Sequence, residues 1–398
     1  MRNLYEEDKK YVLNTYNRLD LMIERGEGSY LFDTDGNKYL DMYSGISVNN
    51  LGHDKGIAEA ITKQAMKYMH LSNYFVSEPV VNLAKLFVEN TFGSKVFFTN
   101  SGTESNEAAI KLCRKYGKRF GENKYEILSA YNSFHGRTNG GMALTGQEKY
   151  QKPFMPILPG VGYFEYNNVE SLRDKVSENT CAVFLEMIQG EGGVVEASCE
   201  FMDELVKLSK EYNFLIVVDE IQTGMGRTGD LLAYEKYDFT PDIVTVSKSV
   251  GGGIPLGAML VCERLEDVLS PGDHGSTFGG NPVSCAGGEY VMDKLVNTNL
   301  CDEVKEKGAY LVSELEKLKD KYPNVIKDIR GRGLMIGMDV GEHVNAIKQI
   351  AQEKKLLLNS TSNTIIRLLP SLCISKDEID EFLEIYEDVI EQIHKAIR

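Results

Sequence analysis

Lys248 ends the strand-like run Asp242-Ile-Val-Thr-Val-Ser-Lys and stands just before Ser-Val and the triple glycine 251–253. A primary amine delivered into a glycine turn has two readings. One is a lysine reaching for solvent at the end of a buried strand. The other sets it at the carboxyl end of a parallel strand, where α/β sheets bind ligands, to form a Schiff base with an aldehyde. Asp219 ends a second apolar run, Phe214-Leu-Ile-Val-Val-Asp. Alone, such a carboxylate is a cap or a surface charge. Paired with a Schiff-base lysine, it is what a protonated ring nitrogen requires.

The aldehyde that asks for both groups is pyridoxal 5'-phosphate, which also needs a phosphate cradle and a flat surface for its ring. Asn100-Ser-Gly-Thr-Glu-Ser-Asn-Glu107 stands between a strand-like and a helical stretch. There Ser101, Gly102 and Thr103 can turn free N–H groups, hydroxyls and the positive end of a helix dipole toward a dianion, although the same triplet also makes an ordinary N-cap. Phe134, within Tyr131-Asn-Ser-Phe-His-Gly-Arg-Thr138, offers a stacking face or a core side chain. Gln222 could donate to a ring hydroxyl.

The elements that would position these groups follow a strand, loop, helix rhythm from about 93 to 262. Strands are expected at 95–99, 126–129, 182–186, 214–219, 243–246 and 258–261, with helices at 104–116, 169–175 and 202–212. That is an α/β fold with a mostly parallel sheet covered by helices. Before it come a helical stretch at 8–16, a hairpin about Asp35-Gly36 and an amphipathic helix at 56–68. After it come helices at 288–295 and 302–322, strands at 333–340 and 364–369, and a last helix opened by the capping box Ser375/Glu378. The expected division is an N-terminal segment 1–55 contributing to a small domain, a large cofactor-binding domain 56–287, and a C-terminal small α+β domain 288–398.

Composition narrows the function. Over 398 residues, 44 basic residues stand against 59 acidic ones, a formal charge of -15 that argues against a nucleic-acid partner. Seven cysteines without C-x-x-C spacing and six histidines without paired spacing suggest reduced thiols and no metal site. The acidic N-terminus and the lack of a membrane-length apolar run lead us to expect a cytoplasmic protein and no membrane partner.

Asn-Ser-Gly-Thr-Glu, Ser-Phe-His-Gly-Arg-Thr, Gln189-Gly-Glu-Gly-Gly193, Asp219-Glu-Ile-Gln-Thr-Gly-Met-Gly-Arg-Thr228, the Ser-Lys with its glycines, and Ser276-Thr-Phe-Gly-Gly-Asn-Pro282 follow one another through nearly the whole chain. In order and spacing they resemble the class III (ω-amino-acid) aminotransferases, and most of all their acetylornithine aminotransferase branch. The resemblance implies the type I pyridoxal-phosphate fold and a homodimer with shared active sites. It makes Lys248 the Schiff-base lysine, Asp219 the ring-nitrogen partner, and Gly102 and Thr103 phosphate ligands. Thr277 would reach the neighbouring subunit's cofactor phosphate, and Ser276 would lie beside the substrate. Arg137 and Arg367 would bind substrate carboxylates, with Glu191 neutralising Arg367 when an amino donor is bound. Met187 departs from the family's usual proline.

The implied reaction moves an amino group from a small-molecule donor to 2-oxoglutarate, in arginine biosynthesis or a related pathway. Ornithine δ-aminotransferases carry a tyrosine where this chain has Ile46, and Tyr16 matches their other pocket tyrosine. An ammonium beside Ile46 would lose water without gaining a partner, at a cost of several kcal/mol in order of magnitude, about the price of an unpaired polar group. An acylated donor such as N2-acetylornithine or succinylornithine is therefore expected, with 4-aminobutyrate and free ornithine as alternatives. A racemase or decarboxylase would have little use for two carboxylate-binding arginines. A non-catalytic protein would be expected to lack Lys248 or Asp219.

Overall fold

The computed structural model describes residues 4–397. Its centre is a seven-stranded sheet built from β1 (Lys95–Thr99), β2 (Glu126–Ala130), β3 (Val161–Phe164), β4 (Thr180–Leu185), β5 (Leu215–Asp219), β6 (Ile243–Val246) and β7 (Gly257–Val261), in the order β1-β7-β6-β5-β4-β2-β3. Every residue of β4 to β7 is buried. Alternation then sorts the side chains between two cores. Val183, Leu185, Ile216, Val218, Val244 and Val246 join one. Ala182, Phe184, Leu215, Val217 and Ile243 join the other, under helix α1 (Gly102–Gly117) with its Ala108, Leu112 and Tyr116. Burial on both faces is why these strands read as continuous apolar runs.

The sheet is mixed. β7 runs antiparallel to both β6 and β1, while β6, β5, β4, β2 and β3 are mutually parallel. The connection from β6 to β7 is the Lys248 glycine loop, which carries no crossover helix, so the chain can only return antiparallel. β3 was not expected from sequence. It is a half-buried edge strand with a glycine inside it, so its pattern is weak.

The N-terminal hairpin forms as expected: Tyr30–Asp33 pairs with Lys38–Asp41, and Gly36 takes φ 83° in the turn. Ile23–Glu27 joins on one side and Leu356–Leu357, from far along the chain, on the other. The first helix departs from expectation. It spans Leu4–Tyr11 with no buried residue, and 12–22 is irregular. Helix Glu78–Asn90 was missed. It has a proline in its first turn, where no N–H is needed, and buries Leu83 and Phe87.

Beyond the sheet, four antiparallel strands run in the order Asp328–Arg332, Met335–Asp339, Ile365–Leu368, Asn359–Thr361. Helices Leu300–Lys321, Val344–Glu353 and Lys376–Ile397 contribute apolar residues to the same core as this sheet. The last helix opens on the capping box: Glu378 N donates to Ser375 Oγ at 3.1 Å, and Ser375 N donates to Glu378 Oε2 at 2.7 Å. Ser29 Oγ and Tyr30 OH donate to Glu378 and Glu381, fastening the N-terminal strands to that helix.

Candidate active site

Strand register brings the chemistry together. Asp219, the last residue of β5, pairs with Thr245 of β6, three residues before Lys248. Val218 pairs with Leu185, so Glu186 arrives at the same edge from β4. Thr99, at the end of β1, pairs with Gly257, and residues 100–103 follow at once. The carboxyl edge thus opens onto a cavity of about 440 Å³, whose walls include Lys248, Asp219, Glu186, Gln222, Phe134, Arg137 and Asn100 to Thr103. That volume lies in the usual range for small-molecule sites.

Lys248 follows the extended Ser247 and takes φ 52°, a left-handed conformation that turns the chain into the glycines. Its amine is held down to about 8. Burial is the main cause and the charge of Arg367 adds to it, while Glu191, Asp219 and Glu186 partly oppose both.

Asp219 is buried and anchored three ways. Asn106 Nδ2 donates to Oδ2 at 2.8 Å, His135 Nδ1 donates to the same oxygen at 2.7 Å, and Ile221 N donates to Oδ1 at 3.0 Å. Asn106 is oriented in turn, donating also to His135 O and accepting from Thr245 Oγ1. A carboxylate has about four acceptor positions, so one remains on Oδ1 for a donor in the cavity. His135 is buried, which lowers its pKa. The hydrogen bond and charge of Asp219, with Glu186 behind it, outweigh that and raise it. Neither Asn106 nor His135 was singled out from sequence, although both lie inside the quoted motifs. Nothing in one dimension marks them as ligands of Asp219.

Ser101 caps α1, accepting from Glu104 N at 3.4 Å. The first-turn N–H groups of Gly102 and Thr103 have no partner within the helix. Space is tight there. A Cβ on Gly102 would come within 2.6 Å of Ile221, and one on Gly136 within 2.1 Å of Thr103 Oγ1. Phe134 is tilted edge-on to Tyr150 at 6.0 Å. Its backbone N–H donates to Glu186, whose carboxyl also accepts from Gly190 N and is pushed up to about 7, chiefly by burial. Met187 is fully buried, and its carbonyl accepts from Ala197 N, so the chain holds its course here without proline.

The two arginines are in different surroundings. Arg137 is exposed at the cavity wall, its guanidinium 3.8 Å from the Tyr150 ring centroid, and among the described residues no carboxylate pairs with it. Arg367 is buried. Its Nη1 donates to Glu191 Oε1 at 2.7 Å and to Gln222 Oε1 at 3.0 Å, and Nε and Nη2 donate to Asn359 Oδ1. Gln222 therefore keeps its amide N–H groups for the cavity. Burial would raise the Glu191 carboxyl, but the charge and hydrogen bond of Arg367 more than offset that and lower it.

Other expected site residues lie outside this wall. Ser276 accepts from Asn100 Nδ2 at 2.9 Å and so sits one contact away. Thr277 is exposed on the next residue. Ile46, in a left-handed turn, packs against Ile188, Val194, Met335 and Leu369, and Val48 from the same turn reaches the wall instead. Tyr16 is 72% exposed in the irregular stretch and touches only Arg18 among the contacts described.

The chain matches the aminotransferase class-III family over residues 11–390 and belongs to it. It is 47% identical to an acetylornithine aminotransferase of Caldanaerobacter subterraneus, over 97% of this chain and 98% of that protein. Among solved structures, the ornithine aminotransferase of Toxoplasma gondii superposes with a TM-score of 0.95 at 29% identity, covering 99% of this chain and 95% of that one. The N-acetylornithine aminotransferase of Stenotrophomonas maltophilia gives 0.85 at 32%, covering 98% and 99%. The fold is that of the type I pyridoxal-phosphate aminotransferases, and the cofactor is pyridoxal phosphate. The cavity suits it in charge, with an amine, a carboxylate with one acceptor position left, and a helix N-terminus rimmed by hydroxyls.

The depressed amine makes a direct prediction. In cofactor-stripped protein, labelling of Lys248 by an amine-directed reagent, read by peptide mapping, should reach half its maximum near pH 8, against the ordinary lysine value of 10.5. Folding lowers this pKa, so between those two values the unfolded chain holds the extra proton, and the stripped protein gains stability as pH rises through that window. Half-labelling near the ordinary lysine value would contradict the burial argument.

Proposed function

We propose that the enzyme transfers the terminal amine of N2-acetylornithine, or a similarly acylated diamino acid, to 2-oxoglutarate. The observation that carries this is the turn of Ile46: it brings the apolar Val48 to the cavity wall and sets Ile46 in an apolar cluster with Ile188, Val194, Met335 and Leu369, and neither side chain offers a free α-ammonium a partner. Acylation removes that charge and suits apolar surroundings. The identity with acetylornithine aminotransferases supports the same reading.

When bound, pyridoxal phosphate supplies an electron sink for the C–H bond that breaks at the amine-bearing carbon. In this reading the chain does the rest. Asp219, bound by Asn106 and His135, would hold the proton on the ring nitrogen. Lys248 Nζ, its pKa already down near 8, works as a neutral base and moves the proton from the donor carbon. Ser101, Gly102 and Thr103 would hold the phosphate, Phe134 would offer its face to the ring, and Gln222 would donate to the ring hydroxyl. Arg137 takes the donor's α-carboxylate, since its stacked guanidinium has no competing anion. Arg367 remains covered by Glu191 for the donor and is uncovered for the second carboxylate of 2-oxoglutarate, with Ser276 beside the bound substrate.

The proposal extends to a two-fold dimer. Thr277 is exposed outside its own cavity wall, and close to it in the chain and in the contacts of 69–73 lies apolar surface: Met66, Met69, Tyr74, Phe75, Val76 and Phe278 are each more than half exposed. A patch of this kind marks an interaction surface. Sedimentation equilibrium of the loaded enzyme should give a dimer; an active monomer would defeat this part.

Single-turnover amination of the cofactor should be faster with N2-acetylornithine than with free ornithine or 4-aminobutyrate, and the reverse order for ornithine would remove the Ile46 argument. Glu191→Ala should slow the donor half-reaction about ten- to a hundredfold more than the 2-oxoglutarate half-reaction, the ratio expected when a charge-assisted hydrogen bond of roughly 1.5–3 kcal/mol is lost. Equal slowing of both would count against the exchange at Arg367.

A further inference from the structure

Arg227 is fully buried, and among the described residues no carboxylate accepts from it. Its pKa is pushed down to about 9 by that burial. The guanidinium instead makes four hydrogen bonds to neutral oxygens: Nε to Ser47 Oγ at 3.0 Å, Nη1 to Leu334 O at 3.0 Å and Pro370 O at 2.6 Å, and Nη2 to Asn50 Oδ1 at 2.7 Å. Its own carbonyl accepts from Leu334 N at 3.1 Å. One side chain thus joins three segments far apart in sequence. These are the turn at 44–50, the strand connection at Leu334, and the residues just after Arg367.

The first of these segments is strained. Ser44, Gly45, Ile46 and Ser47 all have positive φ, 46°, 63°, 64° and 62°, so the chain makes one left-handed turn with a single glycine in it. Such a turn persists only where its surroundings over-determine it. Here Ser47 Oγ lies within hydrogen-bonding reach of Asn50 Oδ1 and Gln222 O, Asn50 Nδ2 donates to Met225 O, and the Arg227 fork binds both Ser47 and Asn50. The same turn carries Ile46 into its apolar cluster and Val48 to the cavity wall.

We propose that Arg227 is a positioning residue for donor recognition: a buried fork that holds the left-handed turn of Ile46 and Val48 in register with the segment bearing Arg367. The consequence for donor choice rests on the reading of Ile46 given above. The fork has two ends, and they can be cut separately. Ser47→Ala removes the Nε contact to the turn and leaves Nη2 on Asn50 and Nη1 on Leu334 and Pro370. Arg227→Lys keeps a cation but cannot span Ser47, Asn50, Leu334 and Pro370 at once.

The test uses the loaded enzyme and two readouts. Hydrogen exchange at amides 46–49 should quicken on the order of tenfold or more in both variants, while peptides of β4 to β6 stay at the wild-type rate. In single-turnover assays, Ser47→Ala should raise the half-saturating concentration of the amino donor about tenfold and leave that of 2-oxoglutarate within about twofold, whereas Arg227→Lys should raise both. Unchanged exchange at 46–49 would overturn the proposal. So would a uniform quickening across the molecule, or a loosened turn with both half-reactions intact. Should Arg227→Lys fail to fold, Ser47→Ala decides alone. A wild-type enzyme that fails to use any diamino-acid donor would sink the function proposed above, and exchange at 46–49 would still decide whether Arg227 holds the turn.

Discussion

A sheet whose four central strands are wholly buried has to present an amine and a carboxylate at one edge without leaving either charge unsatisfied, and much of the site follows from that constraint. Asp219 ends one strand and Lys248 follows its parallel neighbour, so the register brings both to the same edge. Asp219 accepts from three donors already in place, two of them from Asn106 and His135. Lys248 has no such shell and responds by giving up its proton more readily. The same dry edge thus surrounds the carboxylate with donors and leaves the amine to the effect of burial.

The arginines follow the same logic. Arg367 is buried, and its donors are met inside the protein by the Glu191 carboxylate and the amide oxygens of Gln222 and Asn359. Arg137 remains exposed, keeps its hydration and needs only the face of Tyr150 to fix its direction. A site with one masked and one open cation can meet substrates that differ by one negative charge. Glu186 links the parts, since its carboxyl accepts from the backbone N–H of Phe134 and from that of Gly190, the residue before Glu191.

Arg227 is the costlier arrangement. A buried cation with neutral partners loses its hydration and gains no full opposite charge. Beside it, a left-handed turn costs roughly 1–2 kcal/mol for each residue other than glycine. Neither feature helps the core to pack. Both sit where the N-terminal turn, the strand connection at Leu334 and the segment after Arg367 must meet, and a fork of donors can bind several backbone carbonyls at once.

The sequence alone determined what local chemistry can encode. The apolar runs ending at Asp219 and Lys248, the capping box at Ser375, the hairpin about Gly36 and the Ser-Gly-Thr helix start are short-range patterns, and each was legible because its cause lies within a few residues. Glu191 and Arg367 could be paired only through family resemblance, being 176 positions apart in the chain. Tertiary structure decided what depends on register and packing: the antiparallel return of β7, the edge strand β3, the anchoring of Asp219 by Asn106 and His135, and the apolar setting of Ile46. It also gave Arg227 its role. A buried arginine and an exposed one are spelled alike, and only the folded chain determines which carbonyls surround it and whether water can reach it.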